Sequence, residues 1–136
     1  MLERLLILGI FVLAGVVAYR LFNRGRVRQA RVTASYDPLM LQLKPNLPSI
    51  MLFTADYCFP CKAQQRPTIE RLVGELGADA VQFIQVDVEN DPDAAQRWGV
   101  MSLPTTYILD RDGQPHEVNH GVTSAETLKR QLQAVR

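Results

Sequence analysis

The sequence has little of what a disulfide scaffold, a metal centre or a nucleic-acid binder needs. Its 136 residues hold only two cysteines, Cys58 and Cys61, with two residues between them. A pair that close excludes the cross-braced architecture of small secreted domains, which close long loops with several bridges. The only histidines are His116 and His120. On a strand they would point the same way but stand about 13 Å apart, at about 3.3 Å per residue. They read as surface residues rather than zinc ligands, and neither a metal nor another cofactor is expected. Residues 36–136 carry nine basic and thirteen acidic side chains, a net of −4. Without a basic surplus to displace counterions from phosphate, the domain is not expected to bind nucleic acid. The length leaves room for one domain and an appendage, and no repeat or low-complexity tract breaks it up. With 47% hydrophobic and 21% charged residues, the chain can bury a core and is not disordered throughout.

What is present begins with a long apolar run. Leu5 to Tyr19 is fifteen residues without a charge, and Leu21 and Phe22 extend it past Arg20 to eighteen positions. As a helix that length reaches about 27 Å, against a hydrocarbon layer of about 30 Å. Residues 1–22 therefore read as a single transmembrane anchor, with Arg4 and Arg20 able to snorkel to the headgroups. A cleaved signal peptide is the rival reading, since Arg4 supplies a positive start and Val16, Val17 and Ala18 are small enough for a peptidase. The arginines that follow weaken it. Residues 23–35 are polar and arginine-rich without apolar periodicity, and read as a basic juxtamembrane linker. Residues 36–136 are left as the soluble domain. Arg20, Arg24, Arg26, Arg28 and Arg31 favour a cytoplasmic position for it under the positive-inside rule.

Within that domain, Pro38 to Pro45 holds apolar residues in a packed segment of open type. Ile50 to Phe53 is a continuous apolar run, as in a strand buried on both faces. Ile69, Leu72, Val73 and Leu76 recur at helical spacing in a helix beginning near Cys58, and Pro67 should kink or split it. A second strand is expected over Val81 to Val88. Asp91 should cap a short helix with Pro92 at its first position. A third strand covers Thr105 to Leu109, a turn follows at Asp110 to Gly113, and a hairpin partner spans His116 to His120. The last helix is expected to open on a capping box of Thr123 and Glu126, burying Ala125, Leu128, Leu132 and Val135. The element order is β-α-β-α-β-β-α, an α/β domain.

A Cys-x-x-Cys pair at the end of a buried strand and the start of a helix has a specific chemical meaning. Unsatisfied N–H groups and the positive end of the helix dipole favour a thiolate on Cys58. Cys61, one turn on, is near enough to close a disulfide yet more shielded. Cys58 is then the attacking thiol and Cys61 the resolving one. Pro60, lacking an N–H, suits the first turn. A purely structural bridge is a poor alternative, because the loop it closes is too short to stabilise much. Asp56 reads as a solvated loop acid, Lys62 as a helix-surface residue near the Cys58 sulfur, and Tyr57 and Trp98 as packing residues that border the pair.

The segment from Ala55 to Lys62 resembles the active-site region of the thioredoxin superfamily. Trp98 to Thr105 resembles that family's second signature, and Gly113 and Gly121 fall where its members usually have glycine. The resemblance covers about residues 48–136 and implies a thioredoxin fold, a central mixed sheet flanked by helices, here preceded by one N-terminal transmembrane helix. It also implies a cis bond at Pro104 opposite the cysteines. Leu103 would then offer its main chain to a substrate, and Tyr57, Phe59 and Pro60 would complete the substrate surface. Three departures stand out. Tyr57 and Phe59-Pro60 replace the usual tryptophan and Gly-Pro. Leu52 and Gln85 occupy the places of a buried aspartate and lysine, which removes the usual proton relay. Pro67 follows Cys61 by six residues instead of five.

The expected activity is thiol:disulfide exchange with protein thiols and disulfides through Cys58 and Cys61, needing no cofactor beyond that redox-active pair, with a further protein donating or accepting electrons. The alternatives are an oxidase or isomerase running the exchange in the other direction, and a docking factor that does not turn over. A tethered domain of this kind also resembles exported bacterial members, which opposes the cytoplasmic placement read from charge.

Overall fold

A computed structural model of the chain describes residues 1–35 and 37–135. Tyr36 and Arg136, at which the expected domain begins and ends, lie outside the described residues. Four strands form one sheet: β1 (Ser49–Thr54), β2 (Gln82–Asp87), β3 (Thr105–Leu109) and β4 (Pro115–His120), in the order β2-β1-β3-β4. The helices are α1 (Leu2–Ala34), α2 (Arg66–Leu76), α3 (Pro92–Arg97) and α4 (Ala125–Ala134). Central β1 runs parallel to β2, with Leu52 opposite Gln85, and antiparallel to β3, with Phe53 opposite Thr105. β4 pairs antiparallel with β3, placing His120 opposite Thr105. This is the mixed, helix-flanked sheet that the active-site resemblance implied.

Alternation along the strands divides the core in two. Ile50, Leu52 and Ile108 face one side and meet Ile69 and Leu72 of α2 and Leu128 and Leu132 of α4. Met51, Phe53, Tyr107 and Val118 face the other, with Ala94 of α3, Trp98, Leu39, and Ala30 and Ala34 of α1. A strand covered on both sides has no polar face to show, which is why β1 reads as an unbroken apolar run. Phe53, Trp98 and Tyr107 pack edge to face or tilted, with centroids 5.0 to 6.2 Å apart.

The arginine-rich stretch expected to be a tether is instead the continuation of α1. Leu2 to Ala34 is one helix, and its apolar part is long enough to cross a membrane. Beyond that part a stripe turns inward at Asn23, Arg26, Val27, Ala30, Thr33 and Ala34, at helical spacing. Ala30 and Ala34 are buried, and Arg31 Nε donates to Pro115 O at 2.8 Å. Thr33 Oγ1 donates to Arg97 O at 3.1 Å, and Arg26 donates to Gly99 O. Gly99 has φ +67°, and the Arg26 guanidinium lies where a Cβ would project.

Pro38 to Gln42 forms a short 3₁₀ helix capped by Asp37, which settles the open segment. The Asp37 carboxylate is fully buried and accepts from Leu39 N, Arg97 Nε and Trp98 Nε1 at 2.8 to 2.9 Å. Burial alone would raise its pKa, but the Arg97 guanidinium and the other donors hold the carboxyl below its ordinary value. The expected cap of α4 is displaced by one residue: Ser124, not Thr123, accepts the Thr127 N–H. Thr123 is occupied by Gln65, whose amide donates to its O at 3.1 Å and accepts its N–H at 2.6 Å.

Candidate functional site

The cysteines follow β1 at its C-terminal end. β1 stops at Thr54, a turn covers Asp56 and Tyr57, and the helix starts at Phe59. Cys58 O accepts the first helical bond, from Lys62 N at 3.3 Å. That puts Cys58 at the N-cap, where a side chain normally supplies an acceptor for free amides. Its sulfur fills the role, with Cys61 N donating to Cys58 Sγ at 3.3 Å. Such a donor stabilises negative charge on that sulfur and on no other. Pro60 stands in the first turn, where its missing N–H leaves no bond unmade.

Cys58 and Cys61 are joined in a disulfide, with Cα atoms 5.3 Å apart. Cys61 is wholly buried and Cys58 is 6% exposed. The pair packs with Ala55, Val88 and Leu103. From Cys61 to Gln65 the helix makes a π turn, with Arg66 N bonding back five residues to Cys61 O. Two causes combine here. Pro67 has no N–H for Ala63 O, and a π turn accommodates one residue more than the α-helical count. The six-residue spacing from Cys61 to Pro67 is absorbed there, and α2 resumes at Arg66.

Opposite the disulfide, the Leu103–Pro104 peptide bond is cis. Pro104 is buried, and its O accepts from Gly121 N at 2.8 Å. Among the described residues, no hydrogen bond engages the main chain of Leu103. Between the two segments lies an open groove of about 530 Å³, lined by Tyr57, Cys58, Phe59 and Pro60 on one side and Val100, Met101, Ser102 and Leu103 on the other. Val88 and Ala95 also line it. Tyr57, Phe59 and Met101 on its rim are 73 to 75% exposed. Tyr57, Cys58, Phe59, Pro60 and Leu103 thus line the groove, with Cys61 joined to it through the disulfide and Pro104 through the cis bond to Leu103.

Some placements differ from expectation. Tyr57 is a rim residue rather than a packed one, whereas Trp98 is buried on the α1 side of the sheet in a cluster that shares Val88 and Leu103 with the disulfide. Lys62 Nζ lies 3.5 Å from Asp56 Oδ1, and both side chains are mostly exposed. An ion pair that wet contributes little. Leu52 is fully buried among Ile50, Ile69 and Leu72, and its partner Gln85 is exposed, so no carboxylate stands at the relay position. His116 bonds Asp110 at 2.7 Å on the hairpin, remote in sequence from the cysteines. The apolar lining at Val88, Ala95, Val100 and Met101 did not stand out in the sequence. A signal for the last two was available, because they lie within the second signature.

Comparison with known proteins agrees with this geometry. The Thioredoxin family model matches residues 29–134. The chain is 34% identical to thioredoxin of Mycobacterium tuberculosis over 93 residues, covering 68% of this chain and 78% of that protein. It is 36% identical to thioredoxin of Bacillus subtilis over 77 residues, covering 57% and 71%. Among solved structures, mitochondrial thioredoxin 3 of Saccharomyces cerevisiae in its oxidized form superposes with a TM-score of 0.58 at 25% identity, covering 70% of this chain and 84% of that one. Fasciola hepatica thioredoxin gives 0.61 at 23% identity, covering 72% and 89%.

Proposed function

Since the chain belongs to the thioredoxin family and is a disulfide oxidoreductase of that family, we propose that it exchanges the Cys58–Cys61 bond with protein thiols and disulfides while tethered to a membrane by α1. Cys58 attacks and Cys61 resolves. The observation that carries these roles is the asymmetry at the helix N-terminus. Cys58 Sγ alone accepts a main-chain N–H and alone reaches the groove surface, whereas Cys61 is wholly buried. In the reduced protein the Cys58 thiolate attacks a substrate disulfide, a mixed disulfide forms, and the Cys61 thiol displaces the substrate. Two electrons pass to the substrate, and Cys58–Cys61 closes. The groove between Tyr57–Pro60 and Val100–Leu103 receives the peptide flanking the substrate sulfur, and the free main-chain groups of Leu103 are available to pair with it.

With Leu52 at the relay position, the proton of Cys61 has no buried carboxylate to go to, and it leaves by way of solvent in the groove or the substrate itself. Steady-state turnover tests the reading. Full-length protein in detergent micelles, cycled by dithiothreitol, should reduce a soluble protein disulfide catalytically, and Cys58→Ser should abolish that. Stoichiometric reaction without cycling would make the chain a docking factor instead.

A further inference from the structure

The course of α1 fixes which end of the domain faces the apolar segment. Ala34 and Ser35, at the C-terminal end, line a depression with Arg111 to Gln114, the turn between β3 and β4. That turn is at the end of the sheet opposite the cysteines, because β3 begins beside them at Thr105 and runs away. One turn earlier in α1, Arg31 bonds Pro115 O and lies 3.3 Å from His116 Nδ1, at the start of β4. Earlier still, Arg26 bonds Gly99 O, just before the segment that ends in Pro104. Burial and the charge of Arg26 together hold the His120 imidazole below its usual range, which sets Arg26 toward the far end of β4. His120 is opposite Thr105, at the cysteine end.

Followed from Ala34 toward the N-terminus, α1 thus climbs β4 from the turn to the cysteine end and continues beyond it. Phe22, the last residue of the apolar run, is four residues past Arg26, about 6 Å further along the axis. The disulfide is on the same side. No proline interrupts α1, and the contacts from Asn23 to Ala34 seat it on the domain, so it is not a loose tether. Tyr57, Phe59 and Met101, on the rim of the groove beside Cys58, are 73 to 75% exposed at the end of the sheet toward which α1 runs.

Resting on the reading of a membrane-spanning α1 and an exchanging disulfide, we propose that the groove beside Cys58 receives a cysteine-bearing segment of an integral membrane protein, held at headgroup level in the same bilayer. In the direction that reduces this chain, a partner thiolate attacks Cys58 Sγ, the Cys58–Cys61 bond breaks, and Cys61 leaves as a thiolate that takes up a proton. A second partner thiolate then attacks the partner's sulfur in the mixed disulfide and releases Cys58. The partner dithiol becomes a disulfide and this chain a dithiol, with two electrons and two protons transferred. The reverse reaction uses the same atoms. A soluble folded substrate would have to enter the narrow space over the bilayer, whereas a membrane partner is already confined there and gains in effective concentration.

The test uses the full chain, reduced to the Cys58–Cys61 dithiol beforehand, in phosphatidylcholine vesicles with two probes. One is a membrane-spanning peptide carrying a two-cysteine disulfide loop just outside its apolar segment, and the other is the same loop on a soluble peptide. Inserting seven helix-forming residues between Phe22 and Asn23 lifts the domain by about 10 Å with almost no rotation. The native chain should react with the anchored loop about tenfold or more faster than the lifted variant, since the sulfurs are no longer confined to one plane. Both should react alike with the soluble loop, which shows that the lifted domain is folded. Equal rates on the anchored loop would overturn the inference. Failure of both proteins with both probes would instead overturn the oxidoreductase reading on which it rests. In vesicles of brominated lipid without any probe, Phe59→Trp should gain no quenching over the parent; strong quenching would make the rim a lipid-binding surface and also overturn the proposal.

Discussion

Replacing Leu52 by aspartate would restore a carboxyl at the position where the family usually has one, and its cost follows from the surroundings. Leu52 is fully buried among Ile50, Ile69, Leu72 and Leu128. Losing the leucine costs about 2–5 kcal/mol, as for other large-to-small core changes. Across the sheet the new carboxyl has the exposed Gln85 on β2 and, on β3, Thr106, whose buried Oγ1 has no hydrogen-bond partner. Desolvation would raise its pKa by about 3 units, at about 1.36 kcal/mol each. A raised folded pKa means that the native state holds the proton more tightly. The variant therefore keeps its stability below the unfolded value of about 3.9 and loses about 4 kcal/mol as pH rises to about 7. Between pH 7 and pH 5 it should regain about 2–3 kcal/mol, or roughly 10–20 °C in melting temperature. Leu52→Asn, equally polar and unable to titrate, should show no such gain. The assay is thermal unfolding of both full-length variants in micelles, followed by circular dichroism from pH 5 to 8. Parallel pH profiles for the two variants would refute the argument, because the carboxyl would then be solvated.

Three further outcomes follow. Cys61→Ser should accumulate mixed disulfides with substrate proteins and Cys58→Ser should not; iodoacetamide should label Cys58 of the reduced protein first, and equal trapping or faster labelling of Cys61 would reverse the roles. Asp37→Asn should cost about 2–4 kcal/mol, since Arg97 and the Trp98 N–H lose an anionic acceptor. Because the folded pKa of Asp37 lies below 3.8, its contribution is full above that value and is lost as pH falls through the lower one; acid unfolding should be less steep in the variant, and identical curves would contradict this. The arginines flanking the apolar run favour a cytoplasmic domain, so a membrane-impermeant thiol reagent should spare Cys58 in intact, mildly reduced cells until lysis, and labelling beforehand would place the domain outside.

The cysteine motif, the four strands and the Asp91 cap could be read from the sequence because their signals are local: adjacent residues, short apolar or alternating runs, a capping side chain. The packing of α1 could not. Its inward stripe consists of Asn23, Arg26, Val27, Ala30, Thr33 and Ala34, in which small and polar residues replace the large apolar ones that mark a buried face. Ala30 and Ala34 allow close approach to the Trp98 cluster, and arginine heads reach main-chain oxygens on another element. Such contacts depend on partners more than sixty residues away. The displaced cap of α4 has a smaller cause. Thr123 and Ser124 are both competent caps, and the choice was made by Gln65, a buried amide in the π turn that claims Thr123. Pro67 announced a break, and the bond from Arg66 to Cys61 shows its form.

The most direct measurement mixes the fully reduced full-length protein with a defined soluble protein disulfide, quenches with acid and counts alkylated cysteines by mass spectrometry. Each substrate disulfide lost should be matched by one Cys58–Cys61 bond gained, with a transient adduct on Cys58 alone. Substrate that stays oxidised while Cys58 and Cys61 remain thiols, or an adduct carried by Cys61, would contradict the account.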